Sequence, residues 1–168
     1  MTPLTPAYIG IGSNQGCPPR QLDAAFAAIG RIPGTRLVSV SRRYATRPFG
    51  PVEQDEFLNA AAGVLTTLEP AALLAELRSI EDAQGRVRAV HWGPRTLDLD
   101  LLVHGQARLE TPELTLPHPG IGERNFVLYP LADIAPDLEI PGLGRVSTLA
   151  ARVAGDGIEV SKGNGDPP

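Results

Sequence analysis

The spacing of apolar residues along the chain predicts alternating strands and helices. Alternating or continuous apolar residues predict four strands, over 7–12, 36–44, 57–66 and 96–103. Apolar residues three and four positions apart predict three helices, over 19–29, 69–83 and 123–134. A turn over 103–107 predicts a hairpin into residues 108–109. The order predicts an α+β fold, a ferredoxin-like β-α-β-β-α-β sandwich with an added hairpin and a C-terminal helix.

Length and composition predict one globular domain. A chain of 168 residues with 42% hydrophobic residues suits a single domain, here over 1–154. The remainder, 155–168, is rich in Gly, Asp and Pro and has no apolar face, so we expect it to be disordered.

The net charge and the N-terminal sequence limit the kinds of partner and the location that we expect for the protein. The net charge is −4, which argues against nucleic acid or an anionic membrane as a partner. No apolar run is long enough to span a bilayer, and Met1 to Pro6 do not resemble a signal peptide. We therefore expect a cytoplasmic monomer that binds small molecules.

The last predicted strand carries two acidic residues on one face. Side chains alternate along a strand, so Asp98 and Asp100 point one way and Leu97, Leu99 and Leu101 the other. The two carboxylates would lie roughly 6–7 Å apart along the strand and would repel each other unless a cation lay between them. Oxygen ligands suit Mg²⁺, which commonly takes one or two carboxylates together with substrate phosphates. The alternative is an exposed strand face with two hydrated acids.

Basic residues cluster just before this strand. Arg86, Arg88 and Arg95 lie close to His91 and Trp92, in a segment whose glycines and proline predict a loop. Arginine binds phosphate through a planar pair of donors. A cationic loop beside two carboxylates fits phosphoryl transfer, which depends on positioning and on neutralising charge.

The sequence around these residues resembles a known family. Residues 91–102, HWGPRTLDLDLL, look like the signature of 6-hydroxymethyl-7,8-dihydropterin pyrophosphokinases of the folate pathway. The resemblance extends to AYIGIGSN at 7–14, FLNA at 57–60, QGRVR at 84–88, LPHP at 116–119 and RNF at 124–126. These segments occur in the family's order and approximate spacing.

The resemblance implies a set of catalytic and ATP-binding residues. Catalysis would use Arg86, Arg95, Asp98 and Asp100, with the two aspartates holding two Mg²⁺ ions. ATP, the co-substrate, would be bound by Arg78, Glu81, Arg86, Arg88, Trp92, Arg95, Leu101, His118 and Arg124. Relatives often have glutamine at the position of Arg78, and in some a tyrosine replaces Pro119.

The resemblance also implies a pterin site. Its residues would be Thr46, Arg47, Phe49, Phe57, Asn59, Trp92, Asp98 and Phe126. Asn59 would bind the amide-like edge of the ring, since a carboxamide offers both a donor and an acceptor. The irregular segment 45–56 would cover the ring, and Phe57 lacks the hydroxyl of the tyrosine that relatives often have there.

The expected activity is transfer of pyrophosphate from ATP to the hydroxymethyl group of the reduced pterin, with release of AMP. Two other classes remain open. A two-metal nucleotidyl transferase or cyclase on a similar fold would release pyrophosphate instead. A non-catalytic binding domain of the same topology would bind its ligand without Mg²⁺.

Overall fold

The computed structural model describes residues 3–14, 17–46, 57–84 and 97–161. Its strands are β1 (Thr5–Ser13), β2 (Thr35–Val40), β3 (Tyr44–Thr46), β4 (Phe57–Thr66), β5 (Asp98–His104), β6 (Leu109–Glu110), β7 (Thr115–Leu116), β8 (Glu139–Ile140), β9 (Gly144–Arg145) and β10 (Ile158–Val160). The helices are α1 (Pro18–Gly30), α2 (Pro70–Ala83), α3 (Asn125–Ile134) and α4 (Val146–Arg152), and a 3₁₀ turn spans Ile121–Glu123.

An antiparallel sheet forms the centre of this mixed α/β fold. Its order is β10–β3–β4–β1–β5, and β2 pairs with β4 beyond the stretch that pairs with β3. The strands β6 and β7 form one separate hairpin, and β8 and β9 form another. Among the described strands β5 therefore lies at one edge of the main sheet, and β10 lies at the other.

Both faces of the sheet are covered by helices. The helices α1 and α2 pack on one face against alternate apolar residues of β1, β4 and β5. The third helix packs on the opposite face, where α4, the β8–β9 hairpin and Leu102 complete a second apolar cluster. Because strand side chains alternate between the faces, β5 contributes Leu99 and Leu101 to the first cluster and its aspartates to the second face.

Most predicted elements are confirmed, with two corrections. The predicted strand 36–44 is divided into β2 and β3, since the register of β2 shifts against β4 at Leu37/Ser39 and Ser41 bonds to the backbone of Ala61. The turn after β5 leads to a hairpin, but β6 pairs with β7 and not with β5. The outer edge of β5 is bonded elsewhere, for example by the His118 N–H, which donates to the Leu102 carbonyl at 2.9 Å.

The prediction of disorder over 155–168 is wrong for the part of this segment that the structure describes. Residues 158–160 form β10, which pairs antiparallel with β3. The segment lacks an apolar face, but its backbone is bonded to a strand that lies more than a hundred residues earlier. Residues 162–168 lie outside the described residues.

No helix within the described ranges is long and apolar enough to cross a membrane.

Candidate active site

A cavity of about 180 Å³ lies between the sheet and α3. The pairing registers explain its floor, since Gly12 of β1 lies opposite Asn59 of β4 on one side and opposite Asp98 of β5 on the other. Paired residues in an antiparallel sheet present their side chains to the same face. The lining residues are Gly10, Ile11, Gly12, Thr46, Phe57, Asn59, Ala60, Asp98, Asp100, Leu102, Phe126 and Val127.

Asn59 provides a fixed amide in this cavity. It is buried, and its Nδ2 donates to Thr46 Oγ1 at 2.9 Å, which fixes the orientation of the carboxamide. Its Oδ1 lies over Gly12, where an added Cβ would come within 2.9 Å of this atom. Glycine at position 12 therefore leaves open the space beside the amide.

Gly12→Ala is expected to weaken binding of a ligand in this cavity by about tenfold or more, since the methyl group occupies the space at the Asn59 amide. The measurement is the dissociation constant or KM of the occupant. Gly30→Ala, at the end of α1 and outside the cavity, is the control for a glycine-to-alanine change, because a Cβ there would make an ordinary contact with Leu37 at 3.7 Å. Equal affinities of the Gly12→Ala and Gly30→Ala variants would show that the amide is not part of the ligand site.

The two aspartates lie as predicted. Leu97, Leu99 and Leu101 are buried beneath the helices, whereas Asp98 and Asp100 face the cavity and are partly exposed. Asp100 also lines a second cavity, of about 190 Å³, on the outer side of β5. It therefore lies at the boundary of the two cavities.

The second cavity has a different chemical character from the first. Its lining residues are Leu74, Arg78, Asp100, Leu101, Thr111, Pro112, Glu113, Leu114, Thr115, His118 and Pro119. His118 Nε2 lies 4.0 Å from Asp100 Oδ1, and its buried Nδ1 has no hydrogen-bond partner among the described residues. An arginine, a histidine and the edge of a strand suit a polar, anionic ligand here, beside the aspartates.

The donor set fits Mg²⁺ bound together with a phosphate ligand. Asp98 and Asp100 offer carboxylate oxygens to one cavity, and Mg²⁺ is commonly held by one or two carboxylates and completed by phosphates and water. In the described part of the chain no group of three or more His, Cys, Asp or Glu side chains is arranged to hold a metal.

Comparison with known proteins gives the family. Residues 8–136 match the sequence model of 7,8-dihydro-6-hydroxymethylpterin-pyrophosphokinase (HPPK). The chain belongs to the HPPK family. It is 48% identical over 152 residues to the 2-amino-4-hydroxy-6-hydroxymethyldihydropteridine pyrophosphokinase of Pseudomonas aeruginosa, covering 90% of this chain and 94% of the relative. The Haemophilus influenzae protein of the same name is 44% identical, over 88% of this chain and 92% of the relative.

Solved structures share the fold. A crystal structure of Plasmodium falciparum HPPK-DHPS, wild type with pteroate, aligns with a TM-score of 0.71 at 12% identity, over 89% of this chain and 42% of that chain. A structure of HPPK-DHPS in complex with substrates aligns with a TM-score of 0.72, over 89% and 43%. The chain thus spans less than half the length of these HPPK-DHPS proteins.

Several residues that the resemblance to HPPK implicated in binding surround the first cavity, namely Thr46, Phe57, Asn59, Asp98 and Phe126. Arg78, Leu101 and His118 line the second. The predicted site residues Arg47, Phe49, Arg86, Arg88, Trp92 and Arg95 lie outside the described residues. Arg124 is exposed at the start of α3, with its guanidinium carbon 5.8 Å from the centroid of the Phe126 ring.

Glu81, which the resemblance placed among the ATP-binding residues, is bonded to the edge strand β5. It is 1% exposed, and its Oε2 accepts the N–H of Leu99 at 2.8 Å. Arg78 donates through Nη1 to Glu81 Oε1 at 2.9 Å and to the Leu99 carbonyl at 3.2 Å. In this HPPK-family chain the Arg78–Glu81 pair bonds the backbone N–H and C=O of Leu99, which a neighbouring strand would otherwise bond. The pair thereby holds β5, the strand that carries the two aspartates, in position.

Some residues around the first cavity were missed from the sequence. Gly10 and Gly12 alternate along β1 and face the cavity, and Leu102 and Val127 supply apolar lining. A signal for the glycines exists, since glycine inside a strand often marks a place where a ligand approaches the backbone. No comparable local signal marks Leu102 or Val127, because their positions depend on how α3 packs on the sheet.

A group of polar contacts that the sequence analysis did not predict joins β3 to α3. The Tyr44 hydroxyl donates to the Asp133 carboxylate at 2.9 Å, and Arg42 bonds the same carboxylate at 3.0 Å. The Tyr44 ring also meets Tyr129 edge-on, at 6.3 Å between centroids. Burial, aided by the hydrogen bond to Asp133, raises the pKa of Tyr44 to about 12.

The contact between Tyr44 and Asp133 is expected to make the free energy of unfolding fall at alkaline pH. A free tyrosine ionises at a pH of about 10, so at higher pH the unfolded state loses a proton that the folded state keeps until a pH of about 12. The contribution of Tyr44 is therefore complete below pH ~10 and is lost as the pH rises toward ~12. Unfolding by urea at pH ~8 and pH ~11 should show a smaller alkaline loss for Tyr44→Phe than for the parent. Equal losses would contradict the assignment.

Proposed function

We propose that this chain transfers pyrophosphate from ATP to the hydroxymethyl group of 6-hydroxymethyl-7,8-dihydropterin, giving the pterin diphosphate and AMP, as a step of folate biosynthesis. The observation that carries the proposal is the position of Asp100, which is shared by the amide-lined cavity and the cavity with Arg78 and His118. Two substrates bound in these cavities would meet at the aspartates.

The first cavity is proposed as the pterin site. Its lining combines an aromatic ring, Phe126, with the carboxamide of Asn59. A carboxamide pairs with the amide-like edge of a pterin through one donor and one acceptor, and an aromatic face stacks on the flat ring. Phe57 adds apolar surface at the rim, and Arg47, Phe49 and Trp92 are proposed to complete the site.

The second cavity is proposed as the ATP site. Leu101 lies on the edge strand β5, and Arg78 and His118 lie beside it around the same cavity. Arg86, Arg88, Arg95 and Arg124 are proposed to neutralise the phosphates, since guanidinium groups bind phosphate oxygens through paired donors.

Asp98 and Asp100 would hold two Mg²⁺ ions, which would neutralise phosphate charge in this type of reaction. The aspartates orient the reacting groups, and the arginines take up the charge that develops on the leaving AMP. Pyrophosphoryl transfer is chiefly a problem of positioning, so rigid support for β5 contributes directly. Trp92 and the segment 45–56 are proposed to exclude water.

The deciding experiment is incubation with ATP, Mg²⁺ and the hydroxymethyl dihydropterin, followed by analysis of nucleotides and pterins. We expect AMP and pterin diphosphate in equal amounts, and neither product when the pterin or Mg²⁺ is omitted. Release of pyrophosphate would indicate a nucleotidyl transferase or cyclase. Binding of the pterin without turnover, and without a need for Mg²⁺, would indicate a binding domain.

We also propose that the fold is a ferredoxin-like sandwich. The order β5–β1–β4 followed by β2 and β3, with α1 and α2 on one face, is that expected of a ferredoxin-like sandwich. We further propose that the protein is a cytoplasmic monomer, which gel filtration and cell fractionation would test.

A further inference from the structure

The segment 154–161 connects two elements that line the first cavity, α3 and β3. At its start, Asn125 Nδ2 donates to the carbonyls of Ala154 and Asp156 at 2.9 and 3.1 Å. At its end, β10 pairs with β3 along its whole length, and the N–H of Ser161 donates to the Arg43 carbonyl at 2.8 Å. The segment therefore bonds to the beginning of α3 and then to β3.

Both attachment points adjoin residues that line the cavity. Asn125 directly precedes Phe126 and Val127, which form the α3 wall. Ile158 of β10 is paired with Thr46, which lines the cavity and accepts the hydrogen bond from Asn59. One attachment of 154–161 therefore adjoins Phe126, and the other adjoins the hydrogen bond between Thr46 and Asn59.

The need for such a support follows from the size of β3. This strand has three residues, and it is bonded to β4 on one side and to β10 on the other. Without β10, β3 would be a very short edge strand with half of its backbone groups facing water, and such strands open locally at little cost. Thr46 would then hold the Asn59 carboxamide less firmly.

We propose that residues 154–161 form a strap that positions the pterin site, with Asn125 acting through Phe126 and β10 acting through Thr46. The inference rests on the proposed function, since it takes the reduced pterin as the occupant of the first cavity. Asn125 and β10 line neither of the two cavities. Their effect is expected in the affinity for the pterin, and not in the affinity for ATP.

The first test removes the anchor at Asn125 in two ways. Asn125→Leu keeps the approximate shape without donors, and Asn125→Asp keeps the shape with a charge that favours a helix N-terminus. In both, the KM for the pterin should rise about three- to tenfold, the equivalent of one lost hydrogen bond, while the KM for ATP and kcat change by less than about twofold. An effect of the Asp variant alone would be an effect of charge and would overturn the role of the hydrogen bonds.

The second test uses two prolines in β10. Because Ser161 donates to Arg43 and donors alternate along an antiparallel pair, the N–H of Glu159 faces β3 and that of Val160 faces away. Glu159→Pro should therefore raise the KM for the pterin about three- to tenfold, and Val160→Pro should leave it near the parent value. Hydrogen exchange of the Ala45 amide should accelerate in Glu159→Pro only.

The outcomes separate the strap from a purely structural segment and from a failure of the proposed function. A lower melting temperature with both KM values unchanged at a temperature far below melting would overturn the strap. So would equal behaviour of the two proline variants. A parent protein that does not convert the pterin would refute the proposed function itself, whereas an active parent with unaffected variants would refute the strap alone.

Discussion

Asp98→Asn and Asp100→Asn, made singly, are expected to reduce turnover about a hundredfold or more, because each removes a charge from the proposed Mg²⁺ site. Asparagine keeps the side-chain volume, and both positions are partly exposed at the cavity. Without ligand, the free energy of unfolding should therefore change by about 1 kcal/mol or less. The measurements are steady-state turnover and urea unfolding of each variant.

A ligand titration sharpens this prediction. With Mg²⁺ and a non-hydrolysable ATP analogue, the parent should gain about 2.7 kcal/mol at a ligand concentration about 100 times the dissociation constant, and each variant should gain clearly less. Asp137→Asn is the matched control, since that carboxylate is exposed and makes only a 3.7 Å surface pair with Arg145. Near-parent turnover in either variant would show that this aspartate is not an essential metal ligand.

The sequence was most informative where local patterns decide the structure. The alternation around Asp98 and Asp100 predicts which way β5 faces, and the burial of Leu99 and Leu101 confirms it. The strand 57–66 coincides with β4. In both segments the period of the side chains determines the face, so no knowledge of distant partners is needed.

Features that depend on distant partners were not predicted. The strand β10 forms because β3 has an open edge, and nothing in the composition of 155–168 indicates this. Tyr44 and Asp133 meet across 89 residues, and their contact depends on how α3 crosses the sheet. The same packing brings Val127 to the first cavity. Such contacts follow from tertiary structure, which local periodicity does not encode.

The division of residues between the two cavities also required the structure. In the sequence analysis, Arg78 and Glu81 are both expected at the ATP site. In the structure they differ, since Arg78 is 44% exposed and lines the second cavity while Glu81 is 1% exposed and bonds to the strand. Because Glu81 is buried and bonded to β5, we expect its removal to cause a large loss of stability.

Glu81→Ala is expected to lower the free energy of unfolding by about 2–4 kcal/mol, since it leaves the Leu99 N–H without its acceptor and opens a small cavity under β5. Arg78→Ala should also be destabilising, by about 1–3 kcal/mol, because it leaves the buried Glu81 carboxylate without its paired cation, while the Glu81–Leu99 hydrogen bond stays intact. Glu81→Gln keeps an acceptor for Leu99 and should be less destabilising than Glu81→Ala. Urea unfolding at constant pH measures all three.

Glu76→Ala, on the same helix, is the control for helix propensity and loss of a carboxylate, and we expect a change within about 0.5 kcal/mol. If Glu81→Ala and Glu76→Ala were equally stable, Glu81 would not support β5. If Glu81→Ala were destabilised as expected, the variant should also bind Mg²⁺ and ATP more weakly at a temperature far below melting. The reason is that Leu99 lies between Asp98 and Asp100, so a loosened β5 edge would spread both carboxylates over a wider range of positions.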